Sequence, residues 1–471
     1  MKKKVLYTGS KYITFVLKFI QALYIAKFLG PSGFAIYGFA QLIALYVSFM
    51  HFGIPFSVHA LLSTAKNEDR QKTETYINDG LTFLLISGLI YCFIIGGVIF
   101  SMPHMFEKFQ FERYGLLSVI IGLNLIVVQY FSNIYQVFGQ FIRIALNELV
   151  SVIVLFCIVF IYKEDSESLL YYLLVTSALM FVLNAVFFLY KPPFKLRFSL
   201  RKAVLKKLLK IGLPMLLASV GFYLITISVR SISSYQYSLE EIGLLTFALN
   251  ISNSIMMGLN AISWTFYSTI LSNTCGETGE AHAYIKKVNR IYNFGLSITI
   301  FIGILVFPLL YFFLPAYESF NNGIIILLLS QIFMSISFGY SSLLVAQNKQ
   351  NKMALVSFIT LAFVVTLSVL VCYLQLPFVF QTLVIAVGML LYSVLISYLG
   401  AKVCNQTFIK VFFIELLSHK IIIPVLIIIA MLFFNGSVLF SVLALLVYLI
   451  LSRKDVLYMF DIVKQLKKTK T

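Results

Sequence analysis

Lys11, Thr14, Lys18 and Gln21 recur at spacings of three, four and three residues, which places them on one face of a helix. Their neighbours are apolar. A charge in hydrocarbon costs at least about 2.5–3.5 kcal/mol, so cations in such a setting are expected to face a cavity. Ser219, Tyr223, Thr226, Arg230 and Ser233 form a similar stripe, and Thr246, Asn250, Asn253 and Asn260 form another. Asn124, Gln129, Ser132, Asn133 and Gln136 add a fourth, with Gln331, Ser335 and Ser342 further on. Together they describe a hydrated, net cationic, hydrogen-bonding lining. It suits an anionic, hydroxyl-rich ligand and suits a greasy cation poorly. The plainer reading stands beside it. Lys11 can reach the inner headgroups, Lys27 and Arg230 the outer ones, and the neutral stripes can be helix-packing glue.

Glu148 is the one carboxylate that falls inside an apolar run, beside Asn147 and one turn from Ser151. It is a candidate for proton or sodium coupling, or for an ion pair with Arg143 five residues earlier. His51 is a weaker titrating candidate. The five cysteines contain no CxxC, and Cys92, Cys157 and Cys372 lie in apolar runs while Cys275 and Cys404 lie in loops assigned to the cytoplasm. No disulfide framework, metal site or cofactor is indicated, so no catalytic residue is proposed and the chain is not read as an enzyme.

The elements that must carry these residues follow from composition. Of 471 residues, 60% are hydrophobic, 16% aromatic and only 11% charged. So few charges cannot cover a water-facing surface, which excludes soluble enzymes and nucleic-acid-binding proteins. At about 20 residues per crossing, the apolar runs predict an all-α polytopic membrane protein of fourteen spans. These are 9–30, 34–62, 80–101, 115–138, 142–162, 168–190, 211–233, 242–271, 291–314, 322–346, 353–374, 377–400, 420–434 and 436–452, the last two joined by a hairpin at Asn435-Gly436. The first run, interrupted by Lys11 and Lys18, is not expected to be a cleaved signal peptide.

With the N-terminus inside, 29 of the 36 Lys and Arg residues fall on the inner side. Only Lys108, Arg113 and Lys163 fall outside, and Lys11, Lys18, Lys27 and Arg230 remain within spans. This bias predicts an inner-membrane protein with both termini cytoplasmic, and it accounts for most of the net charge of +18. Eight cations and no acid occupy 191–210, read as a basic inter-lobe linker whose Leu205, Leu208 and Leu209 lie on anionic inner-leaflet lipid. That linker separates an N-lobe (1–190, spans one to six) from a C-lobe (211–400, spans seven to twelve), followed by 401–471 with two spans and a basic tail.

The halves look repeated. Gly9 and Lys27 are 18 residues apart, as are Gly212 and Arg230, and Gly38–Gly53 matches Gly243–Gly258 at 15. Gly80 and Gly295 open corresponding spans. Two copies of six spans in the same orientation put a transporter's substrate site at the lobe interface. One tension remains, because Lys27 matches Arg230 yet lies about half a turn from the Lys11–Lys18 face.

The stretch AKFLGPSGFAIYGFAQLIALYVSFMHFGIPF carries a cation, Leu-Gly-Pro, Tyr37-Gly38 and then Gly53-Ile54. It resembles the start of the bacterial polysaccharide transporters, the Wzx-type O-antigen and capsule flippases. These share the multidrug/oligosaccharidyl-lipid/polysaccharide exporter superfamily with the multidrug and toxin extrusion (MATE) antiporters and the lipid II flippases. The resemblance implies two six-helix lobes in a MATE-like V, plus two C-terminal helices. It implies translocation of undecaprenyl-diphosphate-linked oligosaccharide by alternating access, coupled to a gradient of H+ or Na+. Lys18, Arg230, Lys11 and Lys27 are then the cationic cavity, Gln21, Thr226, Asn250, Asn253 and Gln331 its polar lining, and Glu148 the coupling candidate. Polysaccharide polymerase and chain-length machinery are the expected protein partners. A MATE-type multidrug antiporter is the alternative, though one cavity carboxylate is few for cationic drugs. A membrane glycosyltransferase or polymerase is the remaining rival; its outer loop of about 13 residues at 102–114 is too small for a catalytic site. No GxxxxGK[ST] nucleotide loop occurs.

Overall fold

In hydrocarbon a backbone has no hydrogen-bond partner but itself, and every regular element among the described residues is helical. The computed structural model describes residues 2–65, 70–102, 104, 106–254, 256, 278–433 and 438–459. Asn260, Gly258, Cys275, the Asn435-Gly436 turn and the basic tail from residue 460 lie outside them. In chain order the helices are α1 (Lys2–Phe49), α2 (Ile54–Ala65), α3 (Arg70–Ser101), α4 (Phe111–Val137), α5 (Phe141–Ile161), α6 (Ser166–Leu189) and α7 (Lys202–Gln236). Next come α8 (residues 239–254), then α9 (Thr278–Val306), α10 (Asn321–Ile336), α11 (Phe338–Ala346), α12 (Gln350–Tyr373), α13 (Phe380–Val403), α14 (His419–Phe433) and α15 (Val438–Leu451).

Nine helices among the described residues are long and apolar enough to cross a membrane, ten with α7 counted as one span. α1 carries the first expected span, 9–30, and the first part of the second, 34–62, which a turn at 50–53 divides before α2. Its run breaks at Gly30, where φ is +65°, and Pro31 restarts the helix because it needs no amide donor in a first turn. The expected span 322–346 is divided at Ser337 into α10 and α11. α14 and α15, at 15 and 14 residues, are shorter than the roughly 20 a full crossing needs. The N-terminal end of α6 is capped by Asp165, which accepts from the Glu167 amide at 3.0 Å. Hydrogen bonds from Ser168, then from the Glu167 amide, hold the Asp165 carboxyl below its ordinary range.

The chain forms two compact units, Met1–Tyr223 with Tyr237–Phe247, and Leu224–Gln236 with Ala248–Thr471. In the first, α4 supplies Ile126, Tyr130, Phe131, Ile134 and Tyr135 to a core shared with Ile54 and Val58 of α2 and Ile77 of α3. The Tyr130 hydroxyl donates to the Ile77 carbonyl at 2.5 Å, and Phe131 stacks on Phe188 at 5.4 Å. In the second, α10 is buried along most of its length and packs on α9 and α13. The Ser393 hydroxyl of α13 donates to the Phe333 carbonyl at 2.5 Å.

The basic stretch 191–210 differs from its expectation. It belongs to the first unit, so the division falls within α7 and not at this stretch. Its first part, 191–201, is not a helix but a strap laid along α3. The amides of Lys195, Arg197 and Ser199 donate to Glu74 (3.3 Å), Asn78 (3.0 Å) and Thr82 (3.3 Å). The Arg201 amide reaches Asp79 Oδ2 at 3.2 Å, the Ser199 hydroxyl donates to the same carboxylate, and Asn78 returns a bond to the Lys195 carbonyl at 2.9 Å. Alternate strap residues thus meet acceptors spaced about one turn apart on the helix. Beyond the strap, Leu208 is fully buried against the α2–α4 core, with Leu205 and Leu209 packed beside it. Of the leucine face expected on lipid, Leu208 is therefore covered by protein, while Leu205 and Leu209 are half-buried.

Asp79 is fully buried and its carboxylate anchors the strap. A hydrogen bond to a charged acceptor contributes about 1.5–3 kcal/mol. Asp79→Ala is accordingly expected to release the strap, with faster limited trypsin cleavage after Lys195, Arg197 or Arg201 and a lower Tm. Cleavage at the wild-type rate would show that the strap does not depend on this carboxylate.

Candidate functional site

α1 and α5 bring the intramembrane charges together. Lys11 Nζ donates to Glu148 Oε1, a pair 137 residues apart in sequence, with side chains 22% and 17% exposed. Lys18, about two turns further along α1, is exposed and interacts electrostatically with both Glu148 and Lys11. Glu148 is paired with Lys11 and lies within electrostatic reach of Lys18, so two lysines and one carboxylate give the cluster a formal charge of +1. The stripe expected on one face of α1 is split by packing. Thr14 and Gln21 are buried, and the Thr14 hydroxyl is bonded back to the Ser10 carbonyl at 2.9 Å. Lys27, on the far side of the helix, is exposed.

Arg143 does not pair with Glu148. Its guanidinium donates to the carbonyls of Phe187 (2.5 Å), Phe188 (3.3 Å) and Tyr190 and lies over the Tyr135 ring at 4.7 Å. It closes the C-terminal end of α6, where unpaired carbonyls and the helix dipole both favour a cation. Behind Glu148 runs a neutral chain. The Ser151 hydroxyl donates to the Asn147 carbonyl at 2.9 Å and lies 3.4 Å from Asn184 Oδ1. Asn184 Nδ2 in turn donates to Asn124 Oδ1 at 2.8 Å. Asn124 is thus part of a network linking α4, α5 and α6, and Asn133 donates to the Pro55 carbonyl at 3.2 Å. His51 closes the turn between α1 and α2, its Nδ1 accepting the Gly53 amide at 2.9 Å.

Thr226, Arg230, Asn250, Asn253 and Gln331 belong to the second unit, and the Lys11–Lys18–Glu148 cluster to the first. Arg230 of α7 is 8% exposed, with half-buried Thr226 one turn before it. Asn250 is half-buried and Asn253 exposed on α8. Gln331 is not a lining residue. At 1% exposure it donates to the Ser252 hydroxyl at 2.8 Å, and that hydroxyl donates to the Leu327 carbonyl at 3.0 Å, so it joins α8 to α10. Ser335 likewise bonds Asn293 at 3.2 Å. These are packing contacts, favoured because polar groups in an apolar bundle must find partners on neighbouring helices.

Sequence reading missed three features: the Lys11–Glu148 pair, the Arg143 cap, and a clasp in which Asp455 accepts from Arg290 and from Lys420 (2.7 Å). The strap left a legible trace. Glu74, Asn78 and Thr82 recur every four residues along α3 and are three of the polar groups that receive the strap amides.

The family described as "Polysaccharide biosynthesis protein" matches residues 1–267. The lipid II flippase MurJ in an inward closed conformation superposes with a TM-score of 0.72 at 13% identity, covering 96% of this chain and 99% of that one. An inward-facing MATE family multidrug resistance transporter of the MOP superfamily gives 0.65 at 14%, covering 83% and 94%. A MOP superfamily transporter from Pyrococcus furiosus, whose structure was described as having a binding pocket of reversed polarity, gives 0.62 at 14%, covering 86% and 97%. No curated protein sequence matches the chain significantly. At these identities the structural likenesses establish the fold, that of MATE transporters and of MurJ. The family match extends over more than half of the chain, which belongs to the polysaccharide biosynthesis protein family.

Proposed function

We propose that this protein flips undecaprenyl-diphosphate-linked oligosaccharide repeat units, of O-antigen, capsule or a similar surface polysaccharide, across the cytoplasmic membrane. The observation that carries the reading is the Lys11–Lys18–Glu148 cluster, held within apolar helices of a chain in this family. A diphosphate crosses hydrocarbon only if cations replace its water. Lys18 is exposed and offers a charge directly. Lys11 is held by Glu148 and becomes available when that carboxylate takes up a proton or is displaced by a coupling ion. Binding and ion coupling then share one set of three side chains, and Arg230 adds a further cation on α7. Alternating access by the two units carries the headgroup across, while the polyprenyl tail stays in lipid. The bias of cations supports cytoplasmic termini in an inner membrane, and a polymerase with its chain-length machinery would use the product outside.

A cationic drug fits this site poorly, because the cluster is already net positive. The decisive test is genetic. Deletion of the gene is expected to abolish surface polysaccharide while lipid-linked repeat units accumulate on the inner leaflet. Normal surface polysaccharide in the deletion strain would reject the reading.

A further inference from the structure

We infer that the second unit carries a separate binding site for a phosphate-bearing anion, where α11 passes into α12 and where α13 ends. A pocket of about 210 Å³ there is lined by Leu344, Lys349, Lys352, Leu399, Lys402 and Val403. Three of the six lining residues are lysines and none is a carboxylate. None of the three lysines forms an ion pair among the described residues. Lys349 is half-buried, while Lys352 and Lys402 are exposed.

The backbone holds the lysines at this place. Asn348 takes a left-handed conformation with φ +54°, and the Lys349 amide bonds back to the Leu344 carbonyl at 2.8 Å, folding the α11–α12 turn onto the pocket. Lys402 comes from the last turn of α13, more than 50 residues later in the chain. Like charges brought to one concavity repel one another unless an anion joins them. An ammonium group binds phosphate as a point charge, and three around one pocket match a group carrying one or two negative charges.

The pocket is smaller than the roughly 300–1,000 Å³ of drug-sized sites, which suits a headgroup or a single phosphate. Its other wall is apolar, formed by Leu344, Leu399 and Val403. A surface that joins cations to apolar side chains at a helix end fits an anionic phospholipid, with the phosphate on the lysines and the first acyl carbons on the leucines. The cation bias assigns this end to the cytoplasmic side, where the residues would meet the inner leaflet or soluble phosphate. The site shares no residue with the Lys11–Lys18–Glu148 cluster, so it stands apart from the transport reading.

The test uses the purified full-length protein in detergent, with Lys349→Ala/Lys352→Ala/Lys402→Ala and a control, Lys163→Ala in an outer loop. Native mass spectrometry measures retained phosphatidylglycerol against phosphatidylcholine, and thermal unfolding is followed with and without inorganic pyrophosphate. At about 1 kcal/mol per lysine near such a headgroup, phosphatidylglycerol affinity is expected to fall about fivefold for each single variant and about a hundredfold for the triple, with the control unchanged. Loss of phosphatidylglycerol retention in the variants identifies the headgroup as the source. Loss of stabilisation by pyrophosphate, with lipid retention unchanged, identifies soluble phosphate. Equal lipid retention together with an equal pyrophosphate response in wild type and variants overturns the proposal. The single variants keep the result readable should the triple variant not fold.

Discussion

Lys18→Ala is expected to reduce export of lipid-linked oligosaccharide about 10- to 100-fold, the loss of one charge-assisted contact of about 1.5–3 kcal/mol, with protein level unchanged. Lys18 is the cation of the α1 cluster that is exposed, so its removal takes away the proposed ligand contact without disturbing packing. Lys18→Arg should retain most export. Unchanged export in Lys18→Ala would remove this residue from the site. Lys11 needs a different design, because it is tied to Glu148. Removing one partner of a shielded pair leaves the other charge uncompensated, at up to about 3–5 kcal/mol where burial is complete and less at the partial exposure found here. The pair is therefore tested as a cycle. Lys11→Ala alone should lower both protein level and export. Lys11→Met/Glu148→Gln should restore the level, and should restore export only if Lys11 does no more than neutralise Glu148. Glu148→Gln in liposomes should still flip substrate but lose its response to an imposed ion gradient. A retained response would reject the coupling role.

Gly212→Ala is expected to cost most of the folded protein, through a contact unrelated to ligand. A Cβ at Gly212 would overlap the backbone of Gly53, and a Cβ at Gly53 would overlap that of Gly212. The first half of α7 and the turn before α2 thus touch backbone to backbone, and neither can yield as a side chain would. Overpacking costs about 1–3 kcal/mol in ordinary cores. Gly53→Ala adds the strain of a left-handed φ of +78°, for a total of about 2–6 kcal/mol. Gly96 and Gly97 of α3 supply the control, since nothing lies within 4 Å of a Cβ built on either. Thermal unfolding of the purified variants should separate the two classes by many degrees. A Gly212→Ala protein as stable as Gly96→Ala would disprove the close approach. The same glycines mark the internal repeat, so part of that pattern records a packing need.

How far the sequence was legible varies with the range of the interaction. The helix limits of α4, α5, α6 and α12 fall within a few residues of the apolar runs that predict them, because length and hydropathy are local properties. The break at Gly30-Pro31 was equally visible, and the structure interrupts the helix there, at the non-helical Gly30. Gln331 and Lys18 show where the reading stops. Both are polar residues in apolar runs, yet one is buried against Ser252 and the other is exposed. Helical periodicity assigns a face but does not say which neighbour covers it.

The sequence alone determined that this chain is a helical membrane protein with a strong cation bias, because both follow from composition and the spacing of charges. It also singled out Lys11, Lys18 and Glu148, since ionisable groups in apolar runs are conspicuous wherever the chain folds. Tertiary structure decided their arrangement. Glu148 was offered Arg143 five residues away and took Lys11 at a distance of 137 residues, because Arg143 was drawn to the open carbonyls ending α6. The strap followed the same rule, its amides finding acceptors on a helix more than 115 residues earlier. An ion pair or hydrogen bond forms with whichever partner packing brings within about 3 Å, and that partner is set by which helices meet.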